Sequence, residues 1–264
     1  MNALLSLYSK NGSEHFAAEL IKRGYNIISS GGTAKYLSEK GIPVTDISTI
    51  TGFPPVLGHR VVTLAPQIHG PLLATAAMRP ELEALKWPDI HLLYVTFYPL
   101  EEELKRPDAT FESCIEKTDI GGPTMIRSAN KGGNVIVMTR RRDENHVLTW
   151  LDAGTPDREA FLFDLRAQAE LTVERYIHLS AEVYQRFAKE RGVNSRSDFP
   201  RYLMKVETHY MFLPFQDAVL AYNDGFAKVS FGEFVLKSDL SVRPMTHDER
   251  LAISNMADRM SASK

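Results

Sequence analysis

The amino-acid sequence predicts an α/β fold, with a doubly wound, mostly parallel sheet that carries helices on both faces. Short apolar runs over residues 3–8, 25–29 and 42–47 are typical of buried parallel strands. Amphipathic stretches separate these runs, and Gly24 and Gly41 stand where two helices should end. Strand and helix therefore alternate, and ligands bind such sheets outside the carboxyl ends of the strands.

The same signals place the other elements in chain order. Ser13 is the predicted N-cap of a first helix that ends near Arg23, and a second helix runs to Lys40. Residues 51–70 are rich in glycine and proline and predict an ordered loop over the strand ends. The later predictions are a helix over 71–85 interrupted at Pro80, a strand over 90–97, a solvated helical turn at 101–103, a strand over 134–139, and two helices or one bent helix over 156–191.

The stretch over residues 119–131, DIGGPTMIRSANK, predicts the centre of a functional site. It is interpreted as a strand end, a glycine turn and a helix. Gly121 and Gly122 permit close approach of a ligand to the backbone, and a helix start offers unpaired N–H groups. Asp119 and Lys131 would flank the turn, as an acid and an amine able to hold and protonate a polar heterocycle. The alternative is that Asp119 is only a helix cap and Lys131 only a charge at the helix end.

A second glycine turn predicts a phosphate-binding site. The turn consists of Ser30, Gly31, Gly32 and Thr33, between a strand and a helix, and it presents N–H donors at the positive end of the helix. Lys10 follows the first strand and would lie on the same edge. Arg60 and Thr63 are further candidates to reach a phosphate. The alternative is a tight connection without a ligand.

Tyr98 follows a strongly apolar strand and could offer its phenol to a ligand. The alternative is a core aromatic residue whose hydroxyl bonds to the backbone.

Composition excludes several classes of function. The chain has 264 residues and a net charge of −2, so no global field favours nucleic acid or an anionic membrane as a partner. Cys114 is the single cysteine, which excludes a disulfide framework and fits a reducing cytoplasm. No signal peptide, membrane span or metal-ligand motif is predicted, and no cofactor is expected.

The last part of the chain, from residue 193 onward, has a different character. The sequence predicts a polar linker at 194–200, an aromatic-rich segment at 210–215, a hairpin turn at 222–226, a strand over 226–235 and a final surface helix. No chemistry can be assigned to these residues from their pattern.

Taken together, the motifs closely resemble the IMP cyclohydrolase domain of the bifunctional purine-biosynthesis protein, a methylglyoxal-synthase-like fold. The resemblance rests on SLYSKNG (6–12), SGGTAKYL (30–37), TGFPPVLGHRVVTLAPQIHG (51–70), YPL (98–100) and DIGGPTMIRSANKG (119–132). It covers roughly residues 1–190, so we expect a cyclohydrolase-like domain over 1–192 and a C-terminal extension over 193–264. The formyltransferase half is not evident, because its YGENPHQ segment is missing after residue 192.

The resemblance implies ring closure of formamidoimidazole carboxamide ribotide (FAICAR) to IMP, with a purine nucleotide precursor as the small-molecule substrate. It implies that the phosphate and ribose side is held by Lys10, Ser30, Gly32, Thr33, Arg60 and Thr63. Asp119, Gly121 and Gly122 would meet the base and its carboxamide. Tyr98 and Lys131 would assist proton transfer and stabilise negative charge on the formyl oxygen.

Several positions depart from the family pattern. The family reads RVKTLHP where this chain has RVVTLAP, so that Val62 replaces a lysine regarded as catalytic and Ala65 replaces a histidine. Thr96 stands in place of an asparagine, Tyr8 in place of a serine and Ser9 in place of an aspartate. Arg201 or Lys205 from the extension could fold back to replace the missing lysine.

Three functions stay open at this point. They are a cyclohydrolase, a non-catalytic protein that binds purine monophosphates, and a phosphate lyase like methylglyoxal synthase; the GGPTMIR signature argues against the last. We expect a homodimer, and a separate formyltransferase is a candidate partner.

Overall fold

The computed structural model describes residues 1–193, 201–206, 209–214, 229–236, 242–244 and 246–248. The chain divides into two compact units, Met1–Phe187 and Ala188–Lys264. The predicted linker at 194–200, the hairpin turn at 222–226 and most of the predicted final helix lie outside the described residues.

The first unit contains a five-stranded sheet in which every pairing is parallel. The strand order is β3-β2-β1-β4-β5, which confirms the predicted fold class. Because the order reverses between β1 and β4, a crevice is expected where these two strands end. The strands are β1 (Asn2–Leu7), β2 (Asn26–Ser29), β3 (Val44–Asp46), β4 (Ile90–Thr96) and β5 (Ile136–Met138).

Ten helices accompany the sheet in the described part of the chain. They are α1 (Ser13–Lys22), α2 (Gly31–Glu39), α3 (Ile47–Thr51), α4 (Pro66–Leu73), α5 (Arg79–Ala84), α6 (Leu100–Lys105), α7 (Phe111–Glu116), α8 (Gly121–Gly132), α9 (Glu144–Asp152) and α10 (Arg158–Glu190). Short 3-10 turns at Ala76–Met78 and Arg141–Asp143 precede α5 and α9.

Three apolar clusters hold the first unit together. One cluster joins the sheet to α1, α2 and α9, and a second joins the opposite face to α4 and α8. The third lies among α6, α7 and the later part of α10. Helix α10 takes part in all three, through Leu162 in the first, Val173 in the second and Phe187 in the third.

Several predicted helix boundaries are corrected by the structure. Gly12, in the left-handed region at φ 81°, is the N-cap of α1, and Ser13 is the first helical residue. Pro80 lies in the first turn of α5, where a missing N–H costs nothing, so it does not interrupt a helix. Glu103 is buried, unlike the solvated residue expected there.

Other corrections concern whole elements. No strand ends in front of Gly121, because α7 and a short turn occupy that place. The sequence did not predict α9. Of the two alternatives for the region 156–191, the structure contains one helix, α10 of 33 residues, and not two.

The second unit contains a four-stranded antiparallel sheet in the order β7-β6-β8-β9. Its strands are β6 (Arg201–Val206), β7 (His209–Pro214), β8 (Val229–Leu236) and β9 (Val242–Pro244). The strand predicted over 226–235 corresponds to β8, and the aromatic-rich segment corresponds to β7.

Within the described residues, no helix combines the length and apolar character that crossing a membrane requires.

Candidate functional site

The candidate site lies at the carboxyl ends of β1, β2 and β4. The loop after β1 brings Lys10, the turn after β2 begins α2, and the segment after β4 brings Tyr98. The crossover from β4 to β5 ends in α8, whose first residues are Gly121 and Gly122. These segments form the crevice that the strand order predicts.

Lys10 lies against the glycine turn at the start of α2. A Cβ atom on Gly32 would lie 3.2 Å from Lys10 Cε and 3.7 Å from its Nζ, so glycine leaves room for the lysine. Lys10 Nζ donates to the carbonyl of Tyr8 at 2.9 Å, and partial burial lowers the pKa of the lysine. Gly31 has φ +40°, a conformation that favours glycine. The ammonium group and the turn therefore form one side of the site.

Two N–H groups at the start of α2 are available to a ligand. Thr33 N–H and Ala34 N–H both bond to the carbonyl of Ser30, at 3.0 and 3.2 Å. The N–H groups of Gly31 and Gly32 have no partner among the described residues. Such groups, at the positive end of a helix, suit an anion.

The hydroxyl of Thr33 has a different place from the one predicted. It is buried, accepts from Leu7 N–H and donates to Leu7 C=O, both at 3.0 Å. These bonds tie α2 to β1 and leave the hydroxyl directed into the protein. The Ser30 hydroxyl, by contrast, is half-buried and lies 3.4 Å from the hydroxyl of Ser6.

An aromatic pair stands next to Lys10. The rings of Tyr8 and Tyr98 meet edge to face with their centroids 5.6 Å apart, and about two fifths of each side chain is exposed. Lys10 Nζ lies 5.8 Å from the centroid of the Tyr8 ring. Burial, followed by the nearby Asp119 and Tyr8, raises the pKa of Tyr98, so its phenol stays protonated. Tyr98 is therefore a hydrogen-bond donor within electrostatic range of an acid.

Asp119 precedes α8 and points at its N-terminus. Its Oδ1 accepts the N–H of Gly122, the second residue of α8, at 2.9 Å. The N-cap of α8 is Ile120, so Asp119 bonds the helix start from one residue further back than the N-cap position considered for it. Burial raises the pKa of the carboxyl group, although the N–H groups of Gly122 and Gly121 act in the opposite direction. A half-buried carboxylate with a raised pKa is suited to accept a proton.

Close packing explains both glycines of this turn. A Cβ atom on Gly122 would lie 2.7 Å from Asp119 Oδ2 and 3.0 Å from side-chain carbons of Phe97 and Val95. A Cβ atom on Gly121 would collide with the hydroxyl of Thr63. Thr63 is buried, and this contact places it beside the start of α8. The glycines therefore let Asp119 and Thr63 approach the helix.

Two predicted site residues are not brought to this cluster. Arg60 forms an ion pair with Glu116, and both side chains are well exposed. Lys131 is exposed in the last turn of α8, ten residues after Gly121, which is about 15 Å along a helix. The predicted placement of Asp119 and Lys131 on two sides of one turn is therefore wrong within a single chain.

The structure also places the departures from the family pattern. Val62 and Ala65 are half-buried and pack against the second apolar cluster. Thr96 Oγ1 accepts the N–H of Tyr8 at 2.9 Å, so two of the departures contact each other. The side chains of Arg201 and Lys205 lie outside the described part of the structure.

Two residues that the sequence did not predict as site residues support Asp119 and Tyr98. Tyr176, on α10, accepts the N–H of Asp119 at 2.7 Å and donates to the carbonyl of Lys117 at 2.8 Å. Its ring lies against Phe97, with 4.6 Å between centroids. Tyr176 belongs to an aromatic stripe of helical spacing, a pattern that indicates only burial, so no local signal could have identified it.

No group of three or more histidine, cysteine, aspartate or glutamate side chains is arranged to hold a metal ion within the described residues. The candidate site instead presents an ammonium group, backbone N–H donors, a phenol and a carboxylate.

Comparison with known proteins identifies the family of this chain. The family model described as "MGS-like domain" matches residues 12–124, which include both glycine turns. The chain in a structure titled "Crystal structure of ForH" superposes with a TM-score of 0.62 at 30% sequence identity, over 70% of the present chain and 97% of that chain. The present chain therefore belongs to the family of MGS-like domains.

Its curated relatives include bifunctional purine biosynthesis proteins named PurH, as the motifs predicted. The protein of Caldicellulosiruptor bescii is 39% identical over 186 residues, which is 69% of this chain and 34% of the relative. The protein of Listeria welshimeri is 33% identical over 277 residues, which is 99% of this chain and 50% of the relative. The chain thus spans between a third and a half of these relatives, and the second alignment extends beyond residue 190.

Proposed function

We propose that this protein is an IMP cyclohydrolase, which closes the pyrimidine ring of FAICAR to give IMP and water. The observation that carries the proposal is the continuous row formed by Lys10, Tyr8, Tyr98 and Asp119, with a glycine turn at each end. Membership of the MGS-like family and similarity to purine biosynthesis proteins support it.

The phosphate of the substrate would bind at the start of α2. Lys10 supplies the positive charge, and the free N–H groups of Gly31 and Gly32 supply hydrogen bonds. The heterocycle would then extend along Tyr8 and Tyr98 towards Asp119. Exposed aromatic rings at this position suit a flat ligand.

Ring closure requires the carboxamide nitrogen to attack the formyl carbon. A carbon–nitrogen bond forms, and the formyl oxygen leaves as water with one hydrogen from the carboxamide and one from the formamide nitrogen. Asp119 is proposed as the group that accepts the proton from the attacking nitrogen, because burial raises its pKa. Tyr98 is proposed to donate a hydrogen bond to the formyl oxygen as negative charge develops there. Both reacting groups belong to one substrate, so positioning supplies much of the rate.

Direct assay of turnover tests the proposal. The purified protein is incubated with FAICAR, IMP is followed by chromatography, and a protein-free sample measures spontaneous closure. IMP formation well above that control is expected. If the rate is equal in both samples and calorimetry still shows that IMP binds, the cyclohydrolase proposal is wrong and the alternative function described below is favoured.

Replacement of Lys10 by alanine is expected to weaken IMP binding about 10- to 100-fold, since a hydrogen bond to a charged group contributes about 1.5–3 kcal/mol. Calorimetric titration with IMP measures this change. Lys22→Ala is a suitable control, because Lys22 is exposed at the far end of α1 and pairs with Glu19. Equal affinities in the two variants would remove Lys10 from the phosphate site.

The alternative function is binding of a purine monophosphate without catalysis. The specific observation in its favour is the half-buried Val62, which packs against the core where the family has a lysine. This alternative predicts binding of IMP without ring closure, so calorimetry and the turnover assay separate the two functions.

The proposal extends to partners and to Lys131. A homodimer is proposed, and a separate formyltransferase that produces FAICAR is proposed as a partner. Since Lys131 lies far from Asp119 in one chain, its proposed part in proton transfer would require it to act at another position, such as the site of a second subunit. A Lys131→Ala variant with unchanged turnover would end that assignment.

A further inference from the structure

We infer that Tyr176 is a positioning residue of the candidate site, which holds Asp119 and the strand end that carries Tyr98 in one fixed arrangement. The inference deepens the proposed function and rests on it for the catalytic roles of Asp119 and Tyr98. Tyr176 lies on α10, 57 residues after Asp119 in the sequence.

The first support is the hydrogen bonding of the turn before α8. Helix α7 ends at Glu116 and α8 begins at Gly121, so four residues join them. The N–H of Lys117 bonds back to Cys114, and the N–H of Thr118 bonds back to Ile115. The N–H of Asp119 instead reaches across to the hydroxyl of Tyr176. Tyr176 is therefore what fixes the backbone at the reacting carboxylate.

The second support is that one hydroxyl makes both bonds. It accepts from Asp119 N–H at 2.7 Å and donates to Lys117 C=O at 2.8 Å, which uses its single proton and leaves the direction of each bond defined. Removal of the hydroxyl would leave one donor and one acceptor of the turn without a protein partner. The backbone would then be free to rotate at the residue that carries the carboxylate.

The third support is the contact with the other arm of the site. The buried ring of Tyr176 lies against Phe97, which directly precedes Tyr98. One side chain thus touches both segments that carry the proposed proton acceptor and proton donor. A displacement of about 1 Å between reacting groups can cost about 10²-fold in rate, so a residue that sets their separation affects turnover without touching the substrate.

The groups that face the Asp119 carboxylate also predict a change in pH dependence. They are the N–H groups of Gly121 and Gly122, the phenol of Tyr98 and the phenol of Tyr176. Burial is the main cause of the raised pKa of Asp119. A loosened turn admits water, and the pKa of the carboxyl group then moves down towards its ordinary value.

The test is Tyr176→Phe, which keeps the ring on Phe97 and removes only the hydroxyl. We expect kcat to fall about 10- to 100-fold and KM to change less than threefold. The acid limb of the profile of kcat against pH should move to lower pH. The matched control is Tyr94→Phe. This substitution also removes the hydroxyl of a buried tyrosine, which donates to Glu144 at 3.0 Å, and Tyr94 lies on β4, the strand that precedes Tyr98. That control should keep the kcat and the pH profile of the wild type.

A second replacement guards against loss of folding. Incorporation of 3,5-difluorotyrosine at position 176 keeps the shape of the side chain and makes its oxygen a weaker acceptor. A two- to fivefold fall in kcat is expected. If Tyr176→Phe and the fluorinated protein both match the Tyr94→Phe control in kcat and in pH profile, Tyr176 has no positioning role.

A readout independent of turnover separates this inference from the proposed function. The pKa of Asp119 can be followed by carbon NMR of its carboxyl group in the ligand-free wild type and in Tyr176→Phe. A lower pKa in the variant supports the positioning role even in a protein that does not turn over FAICAR. An unchanged pKa contradicts it, whatever the fate of the cyclohydrolase proposal.

Discussion

Replacement of Asp119 by asparagine is expected to lower the turnover of FAICAR by about 10²- to 10⁴-fold, the range typical of loss of a general base. Asparagine retains an oxygen that can accept the N–H of Gly122, so the start of α8 should be preserved. What is lost is the ability to take a proton from the attacking nitrogen. Single-turnover kinetics, with the protein in excess over FAICAR and at a concentration above the Kd, would measure the rate of the chemical step.

The same substitution is expected to leave the stability of the protein equal or raise it. Because burial raises the pKa of Asp119, the folded protein binds the proton more tightly than the unfolded chain. The ionised carboxylate therefore lowers the free energy of unfolding at neutral pH, and that free energy recovers as the pH falls through the raised pKa. Thermal unfolding of the variant and the wild type should thus differ most at neutral pH and converge in acid.

Asp46→Asn provides the control for this prediction. Asp46 caps α3 by accepting the N–H of Ser48 at 2.8 Å, and it is the last residue of β3, outside the proposed catalytic row. Asparagine is an equally good cap, so turnover should be unchanged. If Asp119→Asn turns over FAICAR as fast as Asp46→Asn does, Asp119 only bonds the start of α8 and takes no part in the reaction.

Gly122→Ala is expected to produce the second large effect. The added methyl group would lie 2.7 Å from Asp119 Oδ2 and 3.0 Å from Phe97 and Val95. Val95 is held in the apolar core and Phe97 packs against it, whereas the carboxylate can rotate, so we expect the carboxylate to move and lose its bond to the N–H of Gly122. We expect turnover to fall by at least tenfold and the free energy of unfolding to fall by about 1–3 kcal/mol. Turnover and denaturant unfolding should be measured on the same preparation.

Gly132→Ala, at the other end of α8, separates strain from catalysis. Its methyl group would collide with the backbone of Leu72 and Leu73, so it should destabilise the protein at least as much. Since it does not touch Asp119, turnover per folded molecule should stay close to that of the wild type. If both variants lose turnover in proportion to their loss of stability, the prediction is wrong, and Gly122 is not needed to position the Asp119 carboxylate.

Local sequence patterns were enough to predict the sheet and the two helices that begin at paired glycines, although these glycines belong to the first turn of each helix and not to a turn before it. The apolar runs that became β1, β2 and β4 are long or well bounded, and burial on both faces imposes such runs. Helix α9 was missed because it is only nine residues long and its first two residues continue the charged stretch TRRRDEN, so that its apolar residues span little more than one turn. Its buried residues, Val147 and Trp150, are only one turn apart.

The candidate site was predictable where its parts are close in sequence. Asp119 and Gly122 are three residues apart, and capping geometry alone brings them together. The positions of Lys131 and Arg60 depended on how far a helix extends and on which acid pairs with a surface guanidinium, and neither is encoded locally. Tyr176 could not be identified, because an aromatic residue on a buried helical stripe has the same pattern with or without a polar partner.

Helix α10 gives the protein a property that a compact sheet alone would not have. Its Leu162 packs on one face of the sheet, Val173 on the other, and Tyr176 holds the turn before α8. Seating of this helix and occupation of the site are therefore linked equilibria. A ligand that binds only when Asp119 is in place stabilises the packed position of α10. Conversely, a change that loosens α10 lowers the affinity for that ligand by the same factor. In thermodynamic terms, the affinity of such a ligand would depend on how firmly α10 is seated.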